Sequence, residues 1–359
     1  MARILYVSLS VALLATLWSF TGTRKDGTDE RTMPVPSGPD PTPLVDISLL
    51  DQAAWCPVHV EGAKEVVLLV HGTGVTPQIN WDYTLVPPLV KQGFQPCYVA
   101  VPNRLLLDIQ SSAEYISYAI KKFANEYPSP NGISIISWSA GSLVTQWTLT
   151  FYPESRSKVR RHIALGPSYR GSWTMVPLFY LNRYSEAVVQ QLPWSNLLAT
   201  LRKFGGLRAH VPTTNIGSST DQVVQPSFFG EGKGGHNDSW RLSGPMARNV
   251  DVFKACLSAA WEKRLPRLFT HESLLWEPVS HKVIFDALNN DETCIGTADA
   301  IDQSDFDSRL APGLEPAWRE KHQSILPELF KYAPTQPRSG WPEVSLRNYT
   351  STEDPRLEG

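Results

Sequence analysis

The sequence predicts an α/β protein, with a mostly parallel central sheet, helices on both faces and additional cap-like helical segments. Two observations carry this reading. Short continuous apolar runs alternate along the chain with amphipathic ones, the pattern of parallel strands buried by helices on both sides. One of those runs also leads through a tight turn at Ser139 straight into a helical segment. The elements follow in order. Val66 to Val70 is the first strong strand, Cys97 to Val101 the second, Ile133 to Ser137 the third, His162 to Leu165 the fourth, Ala209 to Ile216 the fifth and Asn249 to Ala255 the sixth. Between the second and third, SSAEYISYAIKKFANEY repeats Ile116, Ile120, Phe123 and Tyr127 at helical spacing, after a serine N-cap signal and before Pro128. That segment is a crossover helix. A second helix runs from Ala140 to Tyr152 and is stopped by Pro153. The aromatic interval Gly171 to Lys203, with Trp173, Phe179, Tyr180 and Trp194, fits either cap helices over a site or core.

The 359 residues, 42% of them hydrophobic, suffice for one large α/β domain or two small ones. Residues 44–345 are read as a single domain. Before it, Ile4 to Phe20 is an uncharged apolar run preceded by Arg3, which reads as a secretory signal peptide over residues 1–22. Residues 23–43 are rich in Thr, Gly, Pro and charge, so a flexible or propeptide segment is expected there, and residues 346–359 are expected to form a flexible tail. A secreted protein follows. Four cysteines, Cys56, Cys97, Cys256 and Cys294, suit two disulfides in an oxidising compartment, with three connectivities open. The sequons beginning at Asn237 and Asn348 agree with secretion and glycosylation. A net charge of -2 excludes the electrostatic footprint of a nucleic-acid binder.

The segment GISIISWSAGSLVTQWTL is strand, tight turn and helix, the setting of a nucleophile elbow that lifts a serine hydroxyl above the sheet. Ser139 is the nucleophile candidate, Ala140 and Gly141 are small enough for the chain to crowd around it, and Ser137 replaces the first glycine of the usual pattern. Oxyanion donors are expected from the turn His71-Gly72-Thr73-Gly74 and from the Ala140 backbone N–H at a helix start. His71 itself reads as structural. Triads of this arrangement run Ser, then Asp or Glu, then His. Asp221, just after the fifth strand, has the best context for the acid, with Asp238 and Asp251 as rivals. Of the later histidines, His236, His271, His281 and His322, the first follows Asp221 too closely; His271, separated from Asp221 by the sixth strand, is the expected base, with His281 the second choice. Such a triad works through an acyl-enzyme and requires no metal or cofactor.

The motifs LLVHGTG at 68–74, GFQPCYVAVP at 93–102, SWSAGSLVTQWTLTFYPESRSKVRRHIALGPSYRG at 137–171 and VPTTNIGSSTDQVVQP at 211–226 resemble fungal lipases of the Candida antarctica lipase B type, within the α/β-hydrolase superfamily. The resemblance covers most of residues 45–345. It implies the triad Ser139, Asp221 and His271, an oxyanion hole of Thr73 and Ala140, and a pocket bounded by Trp138 and Val223. It also implies the disulfides Cys56 with Cys97 and Cys256 with Cys294. The chain departs from the pattern at His71, where the family has Pro, at Ala140, where it has Gln, and at Ser168, where an Asp stands beside the site. The stretch before His271 is longer than the family's. The expected activity is hydrolysis of carboxylic esters, lipids among them, by a monomer working at a lipid–water interface. Acyl transfer by the same triad and a catalytically silent binding protein are the alternatives.

Overall fold

A computed structural model of the chain describes residues 35–129, 131–180, 185–228, 238–260, 267–317, 342–351 and 356. Among them are seven strands: β1 Ala54–Trp55, β2 Val66–Val70, β3 Gln95–Val99, β4 Ile133–Trp138, β5 Val159–Leu165, β6 Thr213–Gly217 and β7 Ala247–Asp251. They form one sheet in the order β1-β3-β2-β4-β5-β6-β7. All neighbours are parallel except β1, which adds antiparallel to β3 at the edge.

The apolar runs become strands because both sheet faces are covered. Alternate residues of β2 point to opposite sides: Leu68 and Val70 join the core formed with the helices Ile109–Glu126, Ala140–Phe151 and Asn196–Lys203, whereas Val67 and Leu69 join the core formed with the helix Pro278–Asn289. Each such aliphatic side chain, fully buried, contributes about 1.5–3 kcal/mol. The parallel register carries the ends of β4, β5, β6 and β7 to one edge, with Trp138 opposite Leu165 and Gly217 opposite Asp251. Ser139 follows β4 and Asp221 follows β6 at that edge, and His271 meets Asp221 there.

Element boundaries differ from the sequence reading for identifiable reasons. β3 begins at Gln95 rather than Cys97, because the Gln95 side chain satisfies itself against the backbone of Val58 and Val60 and can be buried. The expected strand Asn249 to Ala255 ends at Asp251, whose carboxylate accepts the N–H groups of Phe253 and Lys254 and thereby opens the helix Val252–Ala260. β1, two residues long, offers no periodicity to read.

The segments on either side of the expected domain are partly built into it. Asp40, expected in a flexible stretch, accepts from Ser155 and the backbone of Glu154 and pairs with Lys121 at 3.1 Å. Arg347, expected in a flexible tail, pairs with buried Glu114, which also accepts the N–H groups of Leu44 and Val45, both at 2.8 Å. These buried carboxylates need partners, and the flanking segments supply them. Residues 1–34, with the expected signal peptide, lie outside the described residues, as do His236, Asn237 and His322. Asn348 is exposed. No helix among the described residues is long and apolar enough to cross a membrane.

One expected disulfide forms and the other does not. Cys56 and Cys97 are bonded, tying the loop after β1 to β3. Cys256 and Cys294 are free thiols, which corrects the second pairing. Cys256 is packed in the apolar cluster on the helix after β7, with Val250 and Val252. Cys294 stands in the turn after Pro278–Asn289, beside Arg160 near the start of β5.

Candidate active site

Ser139 links β4 to the helix Ala140–Phe151 with φ 55° and ψ −129°, a backbone conformation that a residue with a side chain rarely adopts. Such a conformation costs on the order of 1–3 kcal/mol and persists only where its surroundings enforce it. Here the Ser139 N–H donates to the Leu165 carbonyl at 2.9 Å, and the Ser139 carbonyl accepts from the Ser142 N–H at 2.9 Å. Gly141 is required behind the turn, since a Cβ there would lie 2.3 Å from the His71 carbonyl oxygen. The serine at position 137 is tolerated where glycine is usual because its hydroxyl is buried with partners, Ser142 Oγ at 2.8 Å and His162 Nε2 at 2.7 Å.

The turn after β2 is fixed on both sides of Thr73. The Gly72 N–H donates to Asn80 Oδ1 at 3.0 Å, and the Gly74 N–H donates to the Arg104 carbonyl at 2.7 Å. Thr73 Oγ1 is buried with no hydrogen-bond partner among the described residues. The first N–H groups of the helix Ala140–Phe151, Ala140 among them, point out of its N-terminus without helical acceptors. His71 is fully buried, its Nδ1 against the Gly72 carbonyl at 2.8 Å and its Nε2 accepting from the Val101 N–H at 3.1 Å. Burial pushes its pKa down to about 4, so it is a neutral structural imidazole, as expected.

Asp221 follows β6 in a turn of its own making, where Oδ1 accepts from the N–H groups of Val223 at 2.7 Å and Val224 at 2.8 Å. Its Oδ2 lies 2.7 Å from His271 Nδ1. The backbone of His271 is gripped at both polar groups: its N–H donates to Gln222 Oε1 at 2.9 Å, and its carbonyl accepts from the Trp138 indole N–H at 3.2 Å. Trp138 also lies against the imidazole, ring centres 4.9 Å apart. On the other side Gly166 approaches so closely that a Cβ would sit 2.8 Å from His271 Nδ1. Leu165, which holds the Ser139 N–H, is the preceding residue, so the hydroxyl-bearing turn and the imidazole share one corner of the sheet. With Nδ1–H donating to Asp221, Nε2 is the free base nitrogen, and it has no hydrogen-bond partner among the described residues. Burial alone would lower the pKa of this ring. The charge and hydrogen bond of Asp221, with the charge of Glu272, outweigh that and hold it above the usual imidazole value.

The rival residues have other work. Asp251 accepts the Ser219 N–H at 3.1 Å and braces the loop that carries Asp221. Asp238 pairs with Arg241 at 2.9 Å. His281 is buried on the helix Pro278–Asn289 with Nε2 at 2.9 Å from the Leu275 carbonyl, and burial pushes its pKa down to about 4. Ser168 is buried and donates to Gln191 at 3.2 Å. Val223 is half-buried, and its carbonyl accepts from the hydroxyls of Ser172 and Thr174, both at 2.6 Å. The interval 171–203 divides: Leu197, Leu198 and Leu201 are core, whereas Trp173 and half-exposed Trp194 meet at a tilt, ring centres 5.6 Å apart. Gln222 and Glu272 are the residues of this corner that the sequence reading did not single out. Their positions immediately after the proposed acid and base were the available signal.

A crystal structure of Aspergillus fumigatus lipase B superposes with a TM-score of 0.75 at 24% identity, covering 92% of this chain and 77% of that one. The chain has the α/β-hydrolase fold. In sequence, the chain is 39% identical to Lipase B of Pseudozyma antarctica over 194 residues, 54% of this chain and 56% of that protein. The match thus spans little more than half the length of that relative, and the resemblance to fungal lipases of the lipase B type is borne out over that part. No protein-family model matches the chain. Among the described residues of the hydrolase fold, no group of three or more His, Cys, Asp or Glu side chains is gathered as for a metal ion.

Proposed function

We propose that the protein hydrolyses carboxylic esters, lipid esters among them, by a serine mechanism. The observation that carries the reading is the buried 2.7 Å contact between Asp221 and His271 at the corner where Ser139 is held in a strained turn. Ser139 attacks the ester carbonyl carbon while His271 Nε2 takes its proton, and Asp221 holds the tautomer and stabilises the imidazolium. The oxyanion is received by the Ala140 N–H and by Thr73. Collapse expels the alcohol, which leaves with the proton from His271; water, deprotonated by the same nitrogen, then releases the acid. Trp138 and Val223 bound the alcohol side, and Ser168, uncharged, makes the acyl side less polar than a carboxylate would.

The name of the curated relative supports lipid esters as the substrate class. The Cys56–Cys97 bond fits an oxidising, secretory setting. The test is turnover of a p-nitrophenyl ester by the purified protein and by Ser139→Ala, with a competing alcohol present. Loss of roughly six orders of magnitude in kcat is expected for the variant. Undiminished turnover by Ser139→Ala removes the serine mechanism, and exclusive appearance of the transferred ester replaces hydrolysis with acyl transfer.

A further inference from the structure

The loop carrying the acid and the loop carrying the base are clasped to each other by the residues that follow Asp221 and His271. Gln222 uses both ends of its amide: Oε1 accepts the His271 N–H at 2.9 Å, and Nε2 donates to Glu272 Oε2 at 2.9 Å. Glu272 is 8% exposed, and its other oxygen, Oε1, is buried with no hydrogen-bond partner among the described residues. A buried carboxylate with an unused oxygen is expensive to keep, and cations are the usual compensation. No cationic partner for Glu272 stands among the described ion pairs. The positive charge that this corner generates is the imidazolium formed in turnover.

We propose that Glu272, held by Gln222, is a positioning residue that serves as a second carboxylate for His271, stabilising the imidazolium through space while Asp221 does so through the hydrogen bond to Nδ1. The proposal rests on the assignment of His271 as the base. The groups around the ring leave few competitors. Asp221 faces it from the loop after β6; Trp138 and Gly166 cover its faces without charge, and Leu274 lies beside Gly166. Asp251 is engaged with the Ser219 N–H of the acid loop and lies 3.9 Å from Arg241. Removing the Glu272 charge while keeping its shape therefore changes the field at the imidazole and leaves the Asp221 hydrogen bond in place. The imidazole is already held above its usual value with Glu272 among the causes, which agrees in direction.

The test uses two readouts. One is the titration of the His271 ring by NMR in full-length Ser139→Ala protein, which does not depend on turnover. The other is the acidic limb of kcat/KM against pH on a p-nitrophenyl ester. Glu272→Gln is expected to move both midpoints down by about one unit, the size of a single carboxylate charge acting through partly screened protein, whereas Glu272→Asp keeps most of the wild-type value. Gln222→Leu, which releases the clasp, is expected to move them part of the way. A midpoint unchanged in Glu272→Gln by NMR overturns the role of Glu272 even if the enzyme is active. A protein whose NMR midpoint moves but whose activity shows no limb at that pH overturns His271 as the base instead.

Discussion

The two ends of the sheet handle buried charge in opposite ways. At the amino end, Glu65 accepts from Ser134 and pairs with Arg160 at 3.0 Å and with fully buried Arg161 at 3.7 Å, while Asp291 closes on Arg160 at 2.6 Å. Opposite charges are brought together there in nearly equal number, and the cluster joins β2, β4, β5 and the turn after Pro278–Asn289. At the carboxyl end the Asp221 carboxylate meets the His271 imidazole and the Glu272 carboxylate is held by Gln222, while Thr73 Oγ1, His271 Nε2 and Glu272 Oε1 are buried with no hydrogen-bond partner among the described residues. The first arrangement stabilises the resting protein. In the proposed mechanism the second is compensated during turnover, which creates positive charge on the ring and negative charge near Thr73.

The largest effect that sharpens this contrast is expected at the carboxyl end. Asp221→Asn keeps the size of the side chain but favours the wrong imidazole tautomer, and a fall of about 10⁴-fold in kcat is expected with little change in the denaturation midpoint. Ester kinetics with urea unfolding of the same preparation check it. The opposite pattern is expected at the amino end. Glu65→Ala leaves fully buried Arg161 with Asp291 and the carbonyls of Ala287 and Asn290 but without its buried carboxylate, and should lower stability by up to about 3 kcal/mol, while kcat of the fraction still folded stays near wild type. If Glu65→Ala lowered kcat as much as Asp221→Asn, the division between the ends would fail.

A smaller effect separates the histidines by partner. His71 and His281, whose ring nitrogens bond backbone groups, are held down to about 4 by burial, so they stay neutral in the fold. Between about pH 6.5 and 4 the unfolded chain binds protons there that the native state refuses, so stability falls as pH falls through that window, by up to roughly 3 kcal/mol for each ring. His271 is raised instead, so its contribution is present below the ordinary imidazole value and fades as pH rises through its folded value. Urea midpoints at pH 7 and pH 5 should differ less in His281→Gln than in wild type. Equal differences would contradict the assignment of His281 as a buried neutral ring.

Much of this division was legible in the residues. Runs such as VVLLV and ISIIS are too apolar for anything but buried strands, and the order of Ser139, Asp221 and His271 fits one geometry of the elbow. What escaped was set by contacts distant in sequence. The Asp251 side chain converts the end of an apparent strand into a helix start, and Cys256 and Cys294 satisfy the count for a disulfide but are held in different surroundings. The Gln222–Glu272 clasp joins loops 50 positions apart, and no periodicity records such a pairing. Asp40 and Arg347 sit in polar stretches that look unstructured until their partners, Ser155 and Glu114, are known.

Covalent labelling reaches the nucleophile itself. A fluorophosphonate should react with the purified protein in a one-to-one ratio, with the adduct on Ser139 by peptide mass spectrometry, and His271→Ala should slow the reaction by several orders of magnitude. Labelling of another residue, or of Ser139 at an undiminished rate in His271→Ala, would contradict a serine activated by that imidazole.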